Sequence, residues 1–336
     1  MTLLRIDATS DADFEHWFEV IHRGEVERDG GEEGGWLPDE LRARALDESA
    51  PAYFQLYALD IDDECVAVAA LEITQEDNVH TSWVTIMVDP RRRRRGHGTR
   101  ILREIESLAR AQGRTHLVVS SKEMADEWGA GASRSFAPRL GYHLSEENVE
   151  RDLAWPRPPG QIQAQRSQWS PFARDYEILA WRGAMDEGFT ADFAQLASVM
   201  PVEAPHGRRP VEAERWNSER VRRHEAMVDA MGRDYLVSVA RERASGSLVG
   251  FSELTVSRER PSLAYQWATL VLGRHRGHRL GGLMKLANLE QLETYGYATT
   301  RVATFNEVTN VAMIALNEQL GATINGGFLQ WAKHLT

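Results

Sequence analysis

The sequence predicts a mixed α/β protein built from two copies of one domain, and three observations lead there. The stretch Val88-Asp89-Pro90-Arg91-Arg92-Arg93-Arg94-Arg95-Gly96-His97-Gly98 is matched 183 residues later by Val271-Leu272-Gly273-Arg274-His275-Arg276-Gly277-His278-Arg279-Leu280-Gly281. Each copy follows an apolar strand-like segment, Trp83 to Val88 and Trp267 to Leu272, and leads into a helical pattern closed by Gly113 or Gly296. A β-branched run follows each, Thr115 to Ser120 and Thr299 to Phe305, and a Leu-Gly pair ends each, Leu140-Gly141 and Leu320-Gly321. A period this long excludes a solenoid, whose repeats run about 20–50 residues.

The elements follow in order. Leu3 to Ile6 reads as a short strand and Asp11 to Glu27 as a helix capped by Ser10 or Asp11. After the glycine-rich patch Gly30 to Gly35, Tyr53 to Leu59 and Cys65 to Thr74 form a hairpin around the acidic turn Asp60 to Glu64. In the second copy Tyr235 to Ala240 and Leu248 to Val256 repeat it, turning at Ala244-Ser245-Gly246. Antiparallel strands ahead of a strand, turn, helix and strand describe a mixed sheet rather than a doubly wound one. The helix after each turn carries an apolar stripe, Ile101, Leu102, Ile105, Leu108 and Ala109 in one copy, Leu280, Leu283, Met284 and Ala287 in the other. Lys285 stands where the first copy has Leu102, and the sequence leaves open whether it snorkels to solvent or points toward a ligand. Proline and glutamine composition marks 156–175 as a linker between domains 1–155 and 176–336.

Composition narrows the function. The 336 residues suit about two domains, and 42% hydrophobic with 26% charged residues is ordinary for a soluble fold. No apolar run reaches bilayer length and the N-terminus turns polar at once, so a cytoplasmic protein without a membrane partner is expected, monomer or homodimer. The single Cys65 excludes an intrachain disulfide framework, and His16, His22, His206 and His224 lack metal-ligand spacing, so no metal is assigned. A net charge of −11 argues against nucleic acid as the main partner, despite the run Arg91 to Arg95.

A strand that runs through a glycine turn into a helix leaves backbone N–H groups unpaired at the helix start, which with the helix dipole makes an anion site. The spacing Arg93-x-x-Gly96-x-Gly98 suits a pyrophosphate; the second copy reads Arg276-x-x-Arg279-x-Gly281, with Arg279 in place of the first glycine. Neither turn holds a Walker-type lysine or a dinucleotide fingerprint.

Val88-x-Pro90-x-x-Arg93-x-x-Gly96-x-Gly98 resembles the acetyl-CoA signature of the GNAT (Gcn5-related) N-acetyltransferases. The second turn, with Thr304-x-Asn306-x-x-x-Asn310-x-x-Met313-x-x-x-Asn317-x-x-Leu320-Gly321, resembles the C-terminal half of tandem GNAT proteins of actinobacterial type, the two-domain plan of the mycothiol synthases. The resemblance implies two tandem GNAT domains whose fourth and fifth strands part around the pantetheine arm of acetyl-CoA. Backbone at Met87-Val88 or Leu270-Val271 would pair with that arm. Arg93, Arg94, Arg95, Gly96, His97, Gly98 and Thr99, with Arg276, Gly277, His278, Arg279, Leu280 and Gly281, would hold the pyrophosphate, and Asn306 and Asn310 would tie the strand end and helix start to it. Acyl transfer to an amine would be direct, in a ternary complex.

Glu72 and Glu253, at matching places in the two hairpins, are the base candidates, since desolvation in an apolar strand brings a carboxylate toward the working range. The family's tyrosine acid falls on Ala137 and Asn317, so Asn317 remains as a hydrogen-bond donor. Glu32 and Glu33 with Trp36, and Glu203, Glu212 and Glu214 with Trp216, favour a small cationic acceptor such as an amino sugar or natural-product amine. Two divisions of labour stay open: the first copy binds CoA while the second catalyses, or the intact first site acetylates while the second copy mainly supports it. The alternatives are a CoA-binding regulatory or scaffold protein and acetylation of a cysteinyl amino sugar, as in mycothiol synthases.

Overall fold

The computed structural model describes residues 2–29, 35–62, 64–203 and 212–336. In chain order the first repeat contains β1 (Thr2–Arg5), α1 (Asp11–Asp29), α2 (Pro38–Leu46), β2 (Ala52–Ile61), β3 (Glu64–Thr74), β4 (Thr81–Val88), α3 (His97–Ala111), β5 (His116–Met124), α4 (Ser133–Arg139) and β6 (His143–Ala154). After α5 (Gln161–Trp169) the second repeat gives β7 (Tyr176–Arg182), α6 (Glu187–Glu203), α7 (Ser218–Ala230), β8 (Arg233–Glu242), β9 (Leu248–Ser257), β10 (Leu263–Val271), α8 (Leu280–Tyr295), β11 (Arg301–Glu307), α9 (Val311–Gln319) and β12 (Thr323–His334).

The chain packs as two units whose borders differ from those of the repeats. Residues up to Asn148 join Gly326–Thr336 in the first unit; the described residues from Val149 to Asn325 form the second. The first sheet runs β1-β2-β3-β4-β5-β12 and the second β6-β11-β10-β9-β8-β7. Residues 326–336, assigned by sequence to the second domain, therefore complete the first sheet. β12 pairs with β5 from Gly326↔Met124 to His334↔His116, and alternation puts Leu329 and Trp331 into the first core. Val149 to Trp155, assigned to the first domain, instead send Leu153 and Trp155 into the second core. The segment 156–175 is not a bare linker either: it carries α5, whose Ile162 and Trp169 are buried against α8.

In the first unit Ser10 caps α1, its Oγ accepting from Asp13 N at 3.3 Å. Phe14, Trp17, Val20 and Ile21 line the buried side of α1, and the Trp17 indole N–H donates to Tyr57 O and Ala69 O at 3.1 and 3.3 Å. α3 covers the other face, where Ile101, Leu102, Ile105 and Ala109 pack on Ala67, Ala69 and Leu71. In the second unit α6 and α7 share one face with Tyr235, Phe251 and Leu270, while α8 takes the other with Leu254 and Ala264. No helix among the described residues is long and apolar enough to cross a membrane.

Candidate active site

Each sheet splits at the same place. β4 and β5 pair in parallel only from Thr81↔His116 to Val84↔Val119, then diverge. β10 and β11 pair from Leu263↔Arg301 to Gln266↔Thr304 and diverge likewise. Met87 and Val88, and Leu270 and Val271, thus lie on diverged strand ends whose other edge stays paired, with β3 and β9. The two splits are not equivalent. β10 shifts register against β9 between Gln266 and Thr269, bulging at Trp267 and Ala268 beside Glu253, while β4 runs from Ile73↔Ser82 to Ala67↔Val88 without a shift. Bulges re-aim side chains and gather next to active sites.

The two turns share one backbone path. Arg94 and Gly96 are left-handed, with φ of 64° and 87°; Gly277 and Arg279, each 183 residues on, are left-handed with φ of 87° and 60°. Each turn therefore has one glycine and one strained arginine, in swapped order. The first arginine of each motif plays one part. Arg93 Nε reaches Val88 O at 3.4 Å and pairs with Glu27; Arg276 Nε reaches Val271 O at 3.0 Å and pairs with Glu203 at 2.8 Å. Both tie the turn to the preceding strand and to the end of α1 or α6, rather than standing free for a phosphate. Within the run 91–95, Arg91 and Arg92 are also paired, to Asp89 and Glu64, while Arg94 and Arg95 are exposed. Burial, with Arg95 and Arg92 nearby, pushes His97 down from its ordinary value.

The first N–H groups of α3, at His97, Gly98 and Thr99, have no intrahelical acceptor, and a Cβ at Gly96 would meet nothing within 4 Å. An anionic pyrophosphate fits that open turn. The second turn has the same donors from Leu280 onward, but its side chains are committed. His278 Nδ1 lies 3.1 Å from Phe172 O, and Arg279 donates to Gln319 Oε1 at 3.2 Å. Gly282 meets the ring of Trp169, which would stand 2.4 Å from an added Cβ.

The base candidates part company. Glu72 pairs with Arg44 at 3.2 Å and is partly exposed. Glu253 is buried, accepts from the Tyr235 hydroxyl and lies 3.5 Å from His224 Nε2. Burial and the Glu253 charge push the Tyr235 phenol well above its ordinary value, so it stays a donor. Around His224 stand Trp216, Tyr235 and Trp267, with ring centroids 5.7, 5.6 and 6.2 Å away. Neither Tyr235 nor His224 is a catalytic candidate in the sequence, where Tyr235 begins a strand and His224 is weighed only as a metal ligand. Glu253 pairs with Val237, and Tyr235 shares that face two residues away, a relation fixed by register rather than by local motif.

On the opposite face Lys285 is buried and its ammonium donates to Asn317 Oδ1 at 2.7 Å, while Asn317 Nδ2 donates to Asn306 Oδ1 at 2.5 Å. Burial pushes Lys285 down to about 7. It does not snorkel. Asn310 caps α9, accepting from Met313 N at 3.2 Å, which explains its presence without a ligand. Ala137 is buried in the first core. Of the acceptor candidates, Glu203 and Glu214 are committed to Arg276 and Arg220. Glu32, Glu33 and His206 lie outside the described residues.

Each unit is a split mixed sheet preceded by helices, with a turn at the split whose helix-start N–H groups lack intrahelical acceptors. Residues 13–130 match the acetyltransferase (GNAT) family. A tandem GNAT protein from the clavulanic acid biosynthesis pathway superposes with a TM-score of 0.75 at 22% identity, over 100% of this chain and 98% of that one. A GCN5-related N-acetyltransferase from Sphaerobacter thermophilus gives 0.65 at 19%, over 99% and 96%. A glucosamine N-acetyltransferase region of a fungal multi-domain GH3 β-N-acetylglucosaminidase gives 0.65 at 14%, over 99% of this chain and 38% of that one. No curated protein matches the sequence. Residues 13–130, in the first unit, carry the match to the GNAT acetyltransferase family, and the whole length of the chain carries the tandem GNAT fold.

Proposed function

We propose that the protein is an acetyl-CoA-dependent N-acetyltransferase for a small cationic amine, with the transfer carried out in the second unit. One observation carries this reading: the buried Glu253, hydrogen-bonded by Tyr235, sits beside the β10 bulge at the strand split, whereas its counterpart Glu72 is held by Arg44. When bound, acetyl-CoA supplies the acetyl thioester whose carbonyl carbon accepts the amine. In the first unit the N–H groups from His97 to Thr99, with Arg94 and Arg95, would hold the pyrophosphate; in the second, those from Leu280 onward. Backbone of Leu270 and Val271 would orient the pantetheine arm. Glu253 takes the proton leaving the amine, and Tyr235 fixes the carboxylate that receives it. The Trp216 ring already carries the Arg220 guanidinium at 4.8 Å, and the rings of Tyr235, His224 and Trp267 suit a second cation arriving on that face, which supports an amino sugar or natural-product amine. The cysteinyl amino sugar of the mycothiol synthases falls in the same class.

The second reading, a CoA-binding regulatory protein, draws on the side chains of Arg276, His278 and Arg279, all engaged within their own unit. Thiol release with a panel of amines separates the two. Turnover with at least one cationic amine supports the enzyme; binding of CoA without release for every amine supports the regulator. Gly98→Glu and Gly281→Glu, each placing a carboxylate where a phosphate sits, identify the working turn. Gly281→Glu is expected to silence release, and Gly98→Glu to remove a CoA site detected by calorimetry while release continues.

A further inference from the structure

We propose that Lys285 delivers the proton taken up by the departing thiol of coenzyme A in the second unit. The inference rests on the acetyltransferase reading of that unit. Its geometry is separate from that of Glu253. Lys285 projects from the second turn of α8, the helix that follows the anion-binding turn, and its hydrogen bonds run through Asn317 of α9 to Asn306. Asn306 lies two residues beyond Thr304, the last residue through which β11 pairs with β10. The chain of polar groups therefore leads from the helix interior to the diverged strand end.

Glu253 and Tyr235 belong to the face covered by α6 and α7, and Lys285 to the face covered by α8. Acyl transfer across a gap needs a proton removed from the nucleophile on one side and one supplied to the leaving group on the other. The second unit presents one group of each kind, on opposite faces of the same split. A packing role does not account for the lysine. Its counterpart Leu102 fills the same place in α3 with an apolar side chain, and a buried amine without a carboxylate is costly.

The surroundings of Lys285 carry no charge that would hold it protonated for structural reasons. On the elements packed against α8, Tyr176 of β7 bonds to His275, Asp234 of β8 takes Tyr297 and Arg182, and Arg166 of α5 pairs with Glu290. Glu318 of α9 pairs with Arg151, and β9 and β10 contribute the uncharged Ser252, Gln266 and Thr269. Burial alone lowers the ammonium, to about 7, where the group gives up and regains a proton near neutral pH.

In the step itself, Lys285 gives its Nζ proton to the sulfur, which keeps the electron pair as the carbon–sulfur bond breaks and the carbon–nitrogen bond forms. Glu253 receives the proton from the amine nitrogen. The two groups then exchange that proton back through solvent, so amine and thioester become amide and free thiol with nothing oxidised or reduced.

The chain has only Lys122, Lys285 and Lys333, so lysine-labelled protein gives a readable set of side-chain NMR signals. One signal, absent from Lys285→Met, is expected to titrate near neutral pH, and its midpoint to rise when CoA is added but not desulfo-CoA. In turnover, Lys285→Met is expected to lower kcat at least 100-fold with the KM for acetyl-CoA changed less than threefold. Lys285→Arg should lose the limb of the pH profile near 7. Should Lys285→Met fail to fold, the wild-type titration and Lys285→Arg still decide. A Lys285 midpoint indifferent to the thiol, or an unchanged kcat and pH profile in the variants, overturns the proposal. If Gly281→Glu alters neither CoA binding nor release, the assignment of chemistry to the second unit is what fails.

Discussion

α3 and α8 follow the same turn and take the same place in their sheets, yet their undersides differ. α3 lays Ile101, Leu102, Ile105 and Ala109 on an apolar sheet. α8 places Lys285, Asn288 and Gln291 there, with Asn288 donating to Ser252 O at 3.0 Å and Gln291 reaching Val237 O at 3.4 Å. The difference extends across the sheet: the second unit has the bulge and the buried Glu253, while in the first Arg44 neutralises Glu72. Fully burying an aliphatic side chain contributes about 1.5–3 kcal/mol, so the first unit is built for stability around an open turn. The second gives up part of that gain to keep hydrogen-bonding groups beside its split, the kind of local exception expected where function is housed.

The largest expected effect tests that division directly. Glu253→Gln should lower kcat by about 10²–10⁴ while Glu72→Gln changes it less than threefold, read by thiol release. Equal losses would end the comparison.

Next comes pH. Below pH 7 Lys285 is charged both folded and unfolded. Between about 7 and 10.5 the unfolded chain holds a proton that the folded lysine has lost, so this group makes stability rise with pH. The stability of Lys285→Met relative to wild type should therefore fall by about 3–5 kcal/mol between pH 6 and pH 10, measured by denaturant unfolding. A constant difference would mean that the amine keeps its proton across the range.

Gly282→Ala should cost about 1–3 kcal/mol, because Trp169 of α5 occupies the space; Thr99→Ala, its counterpart, should cost less. Thermal melts of both variants sharpen the contrast between the helix starts. The smallest effect is Arg279→Gly. Relief of about 1–2 kcal/mol of left-handed strain is only partly offset by about 0.5–1 kcal/mol of added unfolded-state entropy, leaving a small gain of about 0–1.5 kcal/mol. A loss above about 2 kcal/mol would show that the bond to Gln319 fixes the turn.

Much of this was legible in the residues. The repeat, both hairpins, the glycine turns and the Ser10 cap are local patterns, written in periodicity and short-range hydrogen bonding. What was not legible depends on register and on partners distant in the chain. Glu72 and Glu253 sit in similar sequence surroundings, and only folding sets Arg44 against one and Tyr235 against the other. α5 offered two large apolar residues seven apart, Ile162 and Trp169, too few to outweigh its proline-rich approach. The alternation of β6 and β12 shows which side chains turn inward but not which neighbouring strand each will join.

β5 ends at Met124, and its partner β12 begins two hundred positions further on. A nascent chain must carry its first sheet with a bare border until β12 has been made, the kind of exposed edge that invites mispairing. Cutting the gene at the midpoint of the repeat would make that interim state permanent.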